Sequence, residues 1–153
     1  MTSHSENPKK IRTLALAIIR DSRNGILVEL STDSVKRKSF YRPLGGGIEF
    51  GETGAQACVR EFLEEIGKRV EVISQIGVFE NLFEYEGRLG HEIILLYHAK
   101  FLNTADEHFE ALDVNENGRS TSKAVWINLE EIKQRSLPLY PEGLLKKLQD
   151  LGF

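Results

Sequence analysis

Short runs rich in apolar and β-branched residues, separated by polar turns, occupy most of the chain and predict strands. In chain order they span 13–19, 25–30, 39–44, 69–86 and 91–101. The first two are separated by a turn that ends in Asn24–Gly25, a dipeptide typical of hairpins. The last two flank the tight turn 87–90 and predict a long hairpin.

One segment between the strands has the period of a helix instead. Thr53 and Gln56 have the spacing of a capping box, and Gly67 is placed to end the helix in the left-handed conformation. The predicted helix therefore spans 54–66. Apolar residues recur along it at intervals of three and four, and they predict one buried stripe of Ala55, Cys58, Val59, Phe62 and Ile66.

The last third of the chain predicts a loop, a short strand and one or two helices. The polar and acidic segment 102–122 is longer than a structural connection usually needs, so we expect a functional loop there. Residues 123–132 predict a strand followed by a helix with Asn128 as its N-cap. Pro141 fits the first turn of a final helix that Gly152 closes. Together these elements predict an α/β or α+β fold with a mixed β-sheet.

Composition adds limits on size, partners and location. The 153 residues are 41% hydrophobic and 28% charged, which predicts a single domain at 11–153, and the polar residues 1–10 are expected to form a flexible tail. A net charge of −3 provides no broad basic field, so duplex nucleic acid is not an expected partner. No apolar run has the length of a membrane span and the first ten residues lack the core of a signal peptide, so we expect a cytoplasmic protein. The single cysteine, Cys58, falls on the buried stripe and is interpreted as a core residue.

Three glutamates crowd the C-terminal half of the predicted helix. Glu61, Glu64 and Glu65 project from one face, and like charges at this spacing each cost about 0.2–0.5 kcal/mol. One interpretation is a solvated acidic face in which Glu64 faces Lys68 and Glu65 faces Arg69. The other is a hard divalent cation, which takes several oxygen ligands and relieves the repulsion among the carboxylates.

The glycine-rich loop before the helix favours the cation. Gly45, Gly46, Gly47 and Gly51 let the backbone approach a ligand closely. Loop and helix together resemble the Nudix box, G-x5-E-x7-R-E-U-x-E-E-x-G-U with U apolar, over residues 46–68. The matching residues are Gly46, Glu52, Arg60, Glu61, Phe62, Glu64, Glu65 and Gly67. Lys68 departs from the pattern, because an apolar residue belongs at this position.

The resemblance to the Nudix family implies an α/β/α sandwich around a mixed sheet and a Mg²⁺-dependent hydrolase, with Mn²⁺ as a substitute. Family members cleave a diphosphate linkage in a nucleoside diphosphate derivative by attack of water on phosphorus. The implied metal ligands are Gly46, Glu61, Glu64 and Glu65. Arg60 and Glu52 would hold the geometry of the box. The base would be Glu61 or Glu64, and the sequence does not choose between them.

Outside the box, the expectations are weaker. A later carboxylate often completes the site in this family, and Glu107, Glu110 and Glu116 are the candidates, with solvated loop acids as the alternative. For the substrate, the candidates are Arg42, Gly45, Gly47 and Tyr85. The substrate itself stays open among nucleotide-sugars, dinucleoside polyphosphates and nucleoside triphosphates. A noncatalytic module that binds a nucleotide is the alternative function, and a homodimer is left open.

Overall fold

A computed structural model describes residues 9–153, apart from the side chain of Thr121. The predicted tail at 1–10 lies almost entirely outside the described residues. Eight strands are present, β1 Ile11–Ile19, β2 Ile26–Asp33, β3 Lys38–Arg42, β4 Leu44–Gly47, β5 Val70–Tyr85, β6 Arg88–Phe101, β7 Ala111–Glu116 and β8 Arg119–Ile127. The helices are α1 Gly54–Ile66, α2 Leu129–Arg135 and α3 Leu144–Asp150, and a 3-10 turn spans Thr104–Glu107. Within this part of the chain, no helix has the length and apolarity to cross a membrane.

The strands form two four-stranded sheets. The first has the order β4-β1-β6-β5 and is mixed, because β1 runs parallel to β6 and the other neighbours are antiparallel. The second has the order β3-β2-β8-β7 and is antiparallel. Alternate residues of β1 face two separate clusters, Leu14 toward α2 and α3 and Ala15 toward α1. The predicted fold class, an α/β/α sandwich that contains a mixed sheet, is confirmed.

The predicted hairpin between the first two strands is wrong. Asn24 does turn the chain, with φ of 62°, but β1 and β2 belong to different sheets and share one isolated bridge between Arg20 and Ile26. The reason lies in β1, which is buried on both faces from Leu14 to Ile19. A strand of that kind takes the interior of a sheet, and here it lies between β4 and β6.

The predicted functional loop at 102–122 is also wrong, because most of this segment is regular structure. It contains the 3-10 turn, β7 and the start of β8. Asn117 and Gly118, with φ of 51° and 78°, make the tight turn between these two strands. The polar composition of this hairpin reflects its exposed outer face rather than a lack of structure.

The helices confirm most of the predicted boundaries. In α1 the amide of Gln56 donates to Thr53 Oγ1 at 3.1 Å, the amide of Thr53 donates to Gln56 Oε1 at 2.8 Å, and Gly67 has φ of 68°. Asn128 caps α2. Pro141 does not start the last helix, since α3 begins at Leu144 behind Gly143.

The buried stripe of α1 differs from the predicted one. Cys58 and Phe62 are buried as predicted, whereas Val59 is 39% exposed and Ala57 is buried instead. Glu65 is also buried, with 5% of its surface exposed. The helix is therefore turned further toward its glutamates than the apolar pattern predicts, and this rotation places a carboxylate inside the protein.

Candidate active site

The glycine loop and α1 meet through Gly46 and Glu61. A β-carbon built on Gly46 would stand 2.5 Å from the carboxylate carbon of Glu61. No side chain fits at that distance, so glycine at this position leaves the space that the carboxylate occupies. The contact brings the main chain of the loop and an acidic side chain of the helix close together, so that oxygens of both could bind one cation.

Arg60 joins the loop to the helix through a network of hydrogen bonds. Its guanidinium donates to Glu52 through Nε at 3.1 Å and Nη2 at 2.6 Å, and Nη2 also donates to the carbonyl of Gly47 at 2.9 Å. Nη1 donates to Glu61 at 2.9 Å and to Glu64 at 3.3 Å. The hydrogen bonds from Arg60 hold the pKa of Glu52 below its usual value. Arg60 thus fixes the position of the loop and of two carboxylates, as one planar side chain with several donors can.

Glu65 is the buried member of the acidic group. Its Oε2 atom is enclosed and has no hydrogen-bond partner within the described part of the chain. Burial, together with the negative charges of Glu29 and Glu61, raises the pKa of Glu65 to about 9. A buried carboxyl oxygen without a partner is costly, so this site is built around something that the chain itself does not supply.

The solvated-face interpretation of these glutamates is not what the structure shows. Lys68 pairs with Asp106 at 3.4 Å and lies over the ring of Phe109, rather than facing Glu64. Arg69 is exposed while Glu65 is buried. Only Glu64, whose side chain is 58% exposed, has the surroundings of a surface acid. The contacts of Lys68 also explain how a charged residue is accommodated where an apolar one belongs, since its ammonium group pairs with Asp106 and lies over the ring of Phe109.

A carboxylate that the sequence analysis missed, Glu29 of β2, faces the same region. It accepts a hydrogen bond from Ser122 Oγ and is the largest charged contributor to the raised pKa of Glu65. A signal for it exists in the strand pattern. Leu27 and Glu29 point to the same face, and Leu27 packs in the α1 cluster. A charged residue at an inward-facing strand position is therefore the feature that could have identified it.

The three later candidates separate in space. Glu116 lies close enough to Glu65 to raise its pKa. Glu107 and Glu110 instead line a cavity of about 670 Å³ between the β1–β2 turn and the start of α2, and no residue of the box lines this cavity. Glu107 accepts a hydrogen bond from Ser22 at 2.9 Å. Of the predicted later carboxylates, Glu116 is the one that lies near Glu65.

The residues fit a divalent cation, although their side chains are not gathered around one point. Among the described residues, no three acidic, histidine or cysteine side chains form a ready metal-binding group. Arg60 holds Glu61, and Glu64 is largely exposed. The unpartnered oxygen of Glu65 and the space that Gly46 leaves beside Glu61 are nevertheless what an oxygen-ligated hard cation would use.

The predicted substrate residues lie on two edges of the site. Gly45 and Gly47 belong to β4, which pairs with β1, and the carbonyl of Gly47 is held by Arg60. Arg42 of β3 stands opposite Glu29 of β2 in the register of these two antiparallel strands. Tyr85, which is 39% exposed, packs edge-on against Phe40 at 5.9 Å between ring centres.

Trp126 of β8 is half-buried beside Phe101 and Phe109. The ring centres are 6.3 and 5.5 Å apart, respectively. It packs among the residues that surround α1.

Comparisons with known proteins point to one family. A model of the NUDIX domain matches residues 10–148. The 8-oxo-dGTP diphosphatase of Escherichia coli (strain K12) is 38% identical over 78 residues, 51% of this chain and 57% of that protein. The mutator protein MutT4 of Mycobacterium tuberculosis (strain CDC 1551 / Oshkosh) is 30% identical over 116 residues, 70% of this chain and 43% of that protein.

The chain spans less than two thirds of the length of each of these two relatives. Among solved structures, the E. coli ORF135 protein aligns with a TM-score of 0.64 at 24% identity, over 94% of this chain and 91% of that one. At this level of identity the likeness establishes the fold alone.

Proposed function

The chain belongs to the Nudix family, and from this membership we propose that it is a pyrophosphohydrolase dependent on Mg²⁺, with Mn²⁺ as a substitute. The substrate is a nucleoside diphosphate derivative, and water attacks phosphorus to cleave its diphosphate linkage. The curated relatives with a stated activity include an 8-oxo-dGTP diphosphatase, whose reaction belongs to this class. A small nucleotide and not a duplex nucleic acid is the partner, and a cytoplasmic location is part of the same proposal.

The observation that carries the proposal is the buried carboxyl of Glu65, whose Oε2 has no hydrogen-bond partner among the described residues, beside the Gly46–Glu61 contact. If Glu65 served a structural salt bridge, it would have a cationic side chain as its partner. If this position served only to pack the core, an apolar residue would stand there. A carboxyl that is kept inside the protein without either arrangement is typical of a ligand-binding site. Its position in the box, four residues after Glu61 on the same helix, supports a shared cation.

The chain's own residues then have separate parts in the reaction. Gly46, Glu61, Glu64 and Glu65 would hold the cation, which would neutralise charge on the diphosphate and lower the pKa of a bound water. Arg60 and Glu52 are positioning residues, because they hold the loop and the helix at a fixed separation. Glu61 or Glu64 accepts the proton of the attacking water, since both carboxylates are fixed by one guanidinium at the edge of the site.

The test is a screen of nucleotide-sugars, dinucleoside polyphosphates and nucleoside triphosphates with millimolar Mg²⁺. Phosphate is measured after the products are treated with a phosphatase, and each reaction is repeated with excess chelator. We expect at least one substrate to be turned over with Mg²⁺ and not with chelator. Turnover that persists undiminished in chelator would contradict the proposal. Tight nucleotide binding without turnover would instead identify a noncatalytic module.

A further inference from the structure

Two hairpin turns from different sheets are fastened together beside the candidate site. The amide of Ser34 donates to Glu86 Oε1 at 2.7 Å, and its hydroxyl donates to the other oxygen of the same carboxylate. The amide of Glu86 donates in return to Asp33 Oδ2 at 3.2 Å, and Lys36 Nζ donates to the carbonyl of Glu84 at 2.7 Å. We call these five residues the hairpin clasp. They join the β2–β3 turn of one sheet to the β5–β6 turn of the other.

Glu86 has an unusual backbone for its residue type. It has φ of 53° and is followed by Gly87 with φ of 74°, so both residues of the turn are left-handed. This kind of turn favours asparagine or aspartate at the first position, and the β7–β8 turn of the same molecule has Asn117–Gly118 there. A glutamate at the first position gives up local turn stability, and its long side chain makes the contact with Ser34 that asparagine would not reach. The residue present at position 86 is thus the one that makes the clasp contact and not the one that best suits the turn.

Asp33 is the buried centre of the clasp. It is 3% exposed, and its Oδ1 accepts from the amides of Val35 and Lys36 at 2.9 and 3.0 Å, while Oδ2 accepts from Glu86. The first two contacts shape the β2–β3 turn, and the third ties that turn to the other sheet. Burying a carboxylate for a turn alone is unusual, because an exposed aspartate caps a turn equally well.

The clasp directly adjoins an aromatic pair that faces the candidate site. Tyr85 precedes Glu86, and it packs edge-on against Phe40 of the other sheet. Phe40 and Arg42 stand opposite Ser31 and Glu29 across β3 and β2, so their side chains share the face of the sheet that carries Glu29. From Glu29 to Asp33 the strand rises about 13 Å, roughly the reach of a nucleoside attached to a diphosphate.

We propose that the hairpin clasp is a positioning device for the nucleoside of the substrate, and that it fixes Tyr85 and Phe40 as the wall on which the base stacks. The inference rests on the proposed function. With the diphosphate at the proposed cation site of Glu65 and Glu61, the strip of sheet from Glu29 to Asp33 leads to this wall. Arg42, opposite Glu29, adds positive charge to this strip. Releasing Glu86 from Ser34 loosens the hold of Tyr85 on Phe40, because the two rings belong to different sheets and the clasp, then reduced to the contacts of Asp33 and Lys36, joins those sheets next to them.

Glu86→Asn is the main test variant, because it removes the contact with Ser34 while placing a favoured residue in the turn. We expect its melting temperature to equal or exceed that of the wild type, which separates the clasp from general stability. Asp33→Asn is the second variant and weakens the same clasp from the other turn. Asp21→Asn is the matched control, since Asp21 caps the β1–β2 turn by accepting from the amides of Gly25 and Arg23 and joins no second hairpin.

The measurement is kcat and KM for a nucleoside diphosphate derivative and for the same diphosphate carried on ribose without a base. For Glu86→Asn we expect KM for the nucleoside substrate to rise about tenfold, the order expected for one lost base–aromatic stack, with little change in kcat. The baseless substrate should show a much smaller rise, and Asp21→Asn should behave as the wild type. Equal KM values for the wild type and both clasp variants would overturn the inference, as would an equal rise for the two substrates.

A binding experiment keeps the inference testable if the wild type hydrolyses none of the substrates. Affinity for a nucleoside monophosphate, measured by calorimetry, should then fall about tenfold in Glu86→Asn and stay unchanged in Asp21→Asn. No turnover with this pattern would contradict the proposed function alone. Turnover with unchanged nucleotide affinity in Glu86→Asn would contradict the clasp alone.

Discussion

The carboxylate of Glu61 lies directly against the backbone of Gly46, where a built β-carbon would stand 2.5–2.7 Å from its three terminal heavy atoms. The carboxylate of Glu61 therefore fills the space that a side chain at position 46, 15 residues earlier in the sequence, would need. The same two residues thus set the packing of the loop against α1 and take part in the proposed cation site.

Gly46→Ala should displace the carboxylate of Glu61 and reduce kcat by at least about tenfold, with a smaller effect on KM. The reason is the collision of the new methyl group with a side chain that is itself held by Arg60. Gly47→Ala is the matched variant, because its β-carbon would meet only Arg12 Nη2 at an ordinary 3.5 Å. Steady-state kinetics of both proteins test this, and an equal loss in the two would show that the loop tolerates no side chain anywhere.

Arg60→Lys should reduce kcat by about tenfold or more, although the positive charge is kept. A lysine cannot donate to Glu52, Gly47 and Glu61 at the same time, so the loop loses its fixed distance from the helix. The control is Arg135→Lys, since Arg135 makes one exposed contact with Glu131 at 3.4 Å. If Arg60→Lys retained full kcat, charge alone and not the forked geometry would be what Arg60 contributes.

Glu65→Gln should stabilise the metal-free protein, and the gain should grow with pH. The pKa of Glu65 is raised from 4.5 to about 9 by burial and by neighbouring carboxylates. Between these values the unfolded chain releases the proton and the folded chain keeps it, so wild-type stability falls as pH rises. At pH 7 the difference amounts to at most about 3 kcal/mol, and it vanishes below about pH 4.5. Denaturant unfolding of both proteins in chelator measures it, and a pH-independent difference would contradict the raised pKa.

With Mg²⁺ the order of stability should reverse. A ligand that binds only the folded state adds about 2.7 kcal/mol at a concentration 100 times its Kd and about 4.1 kcal/mol at 1,000 times, which exceeds the deficit of the metal-free wild type at pH 7. The wild type should therefore gain melting temperature as Mg²⁺ increases, and Glu65→Gln should gain much less. Equal responses of the two proteins would mean that Glu65 is not a ligand.

Glu29→Gln should weaken the response to Mg²⁺, whereas Glu107→Gln should leave it unchanged. Glu29 lies near Glu65, while Glu107 is hydrogen-bonded to Ser22 beside a separate cavity. Melting temperatures over a series of Mg²⁺ concentrations compare the two variants directly. A response lost in Glu107→Gln and kept in Glu29→Gln would reverse this assignment.

The sequence predicted the features that depend on neighbours along the chain. The bounds of α1 followed from Thr53, Gln56 and Gly67, because caps act through backbone groups a few residues away. The box residues followed from fixed spacing on one loop and one helix. Both kinds of information are local, and the structure has the elements where the local signals predict them.

Features that depend on distant segments were missed or misplaced. Glu29 comes to the box from β2, where Leu27 marks its side of the strand as the inward one, but nothing near it in sequence says that this side faces α1. Asn24–Gly25 correctly predicted that the chain turns there, but not that β1 and β2 lie in different sheets. Burial of β1 on both faces determines its strand partners. The clasp between Ser34 and Glu86 joins two turns 52 residues apart, and neither turn carries a signal for the other.

The most direct measurement of a cation site at the box is equilibrium binding of Mn²⁺ followed by electron paramagnetic resonance, because it requires no knowledge of the substrate. The wild type should bind Mn²⁺ saturably, Mg²⁺ should compete, and Glu65→Gln should weaken binding by at least about tenfold while Glu107→Gln binds as the wild type. Absence of saturable binding, or equal affinity in the wild type and Glu65→Gln, would contradict a metal site formed by these glutamates.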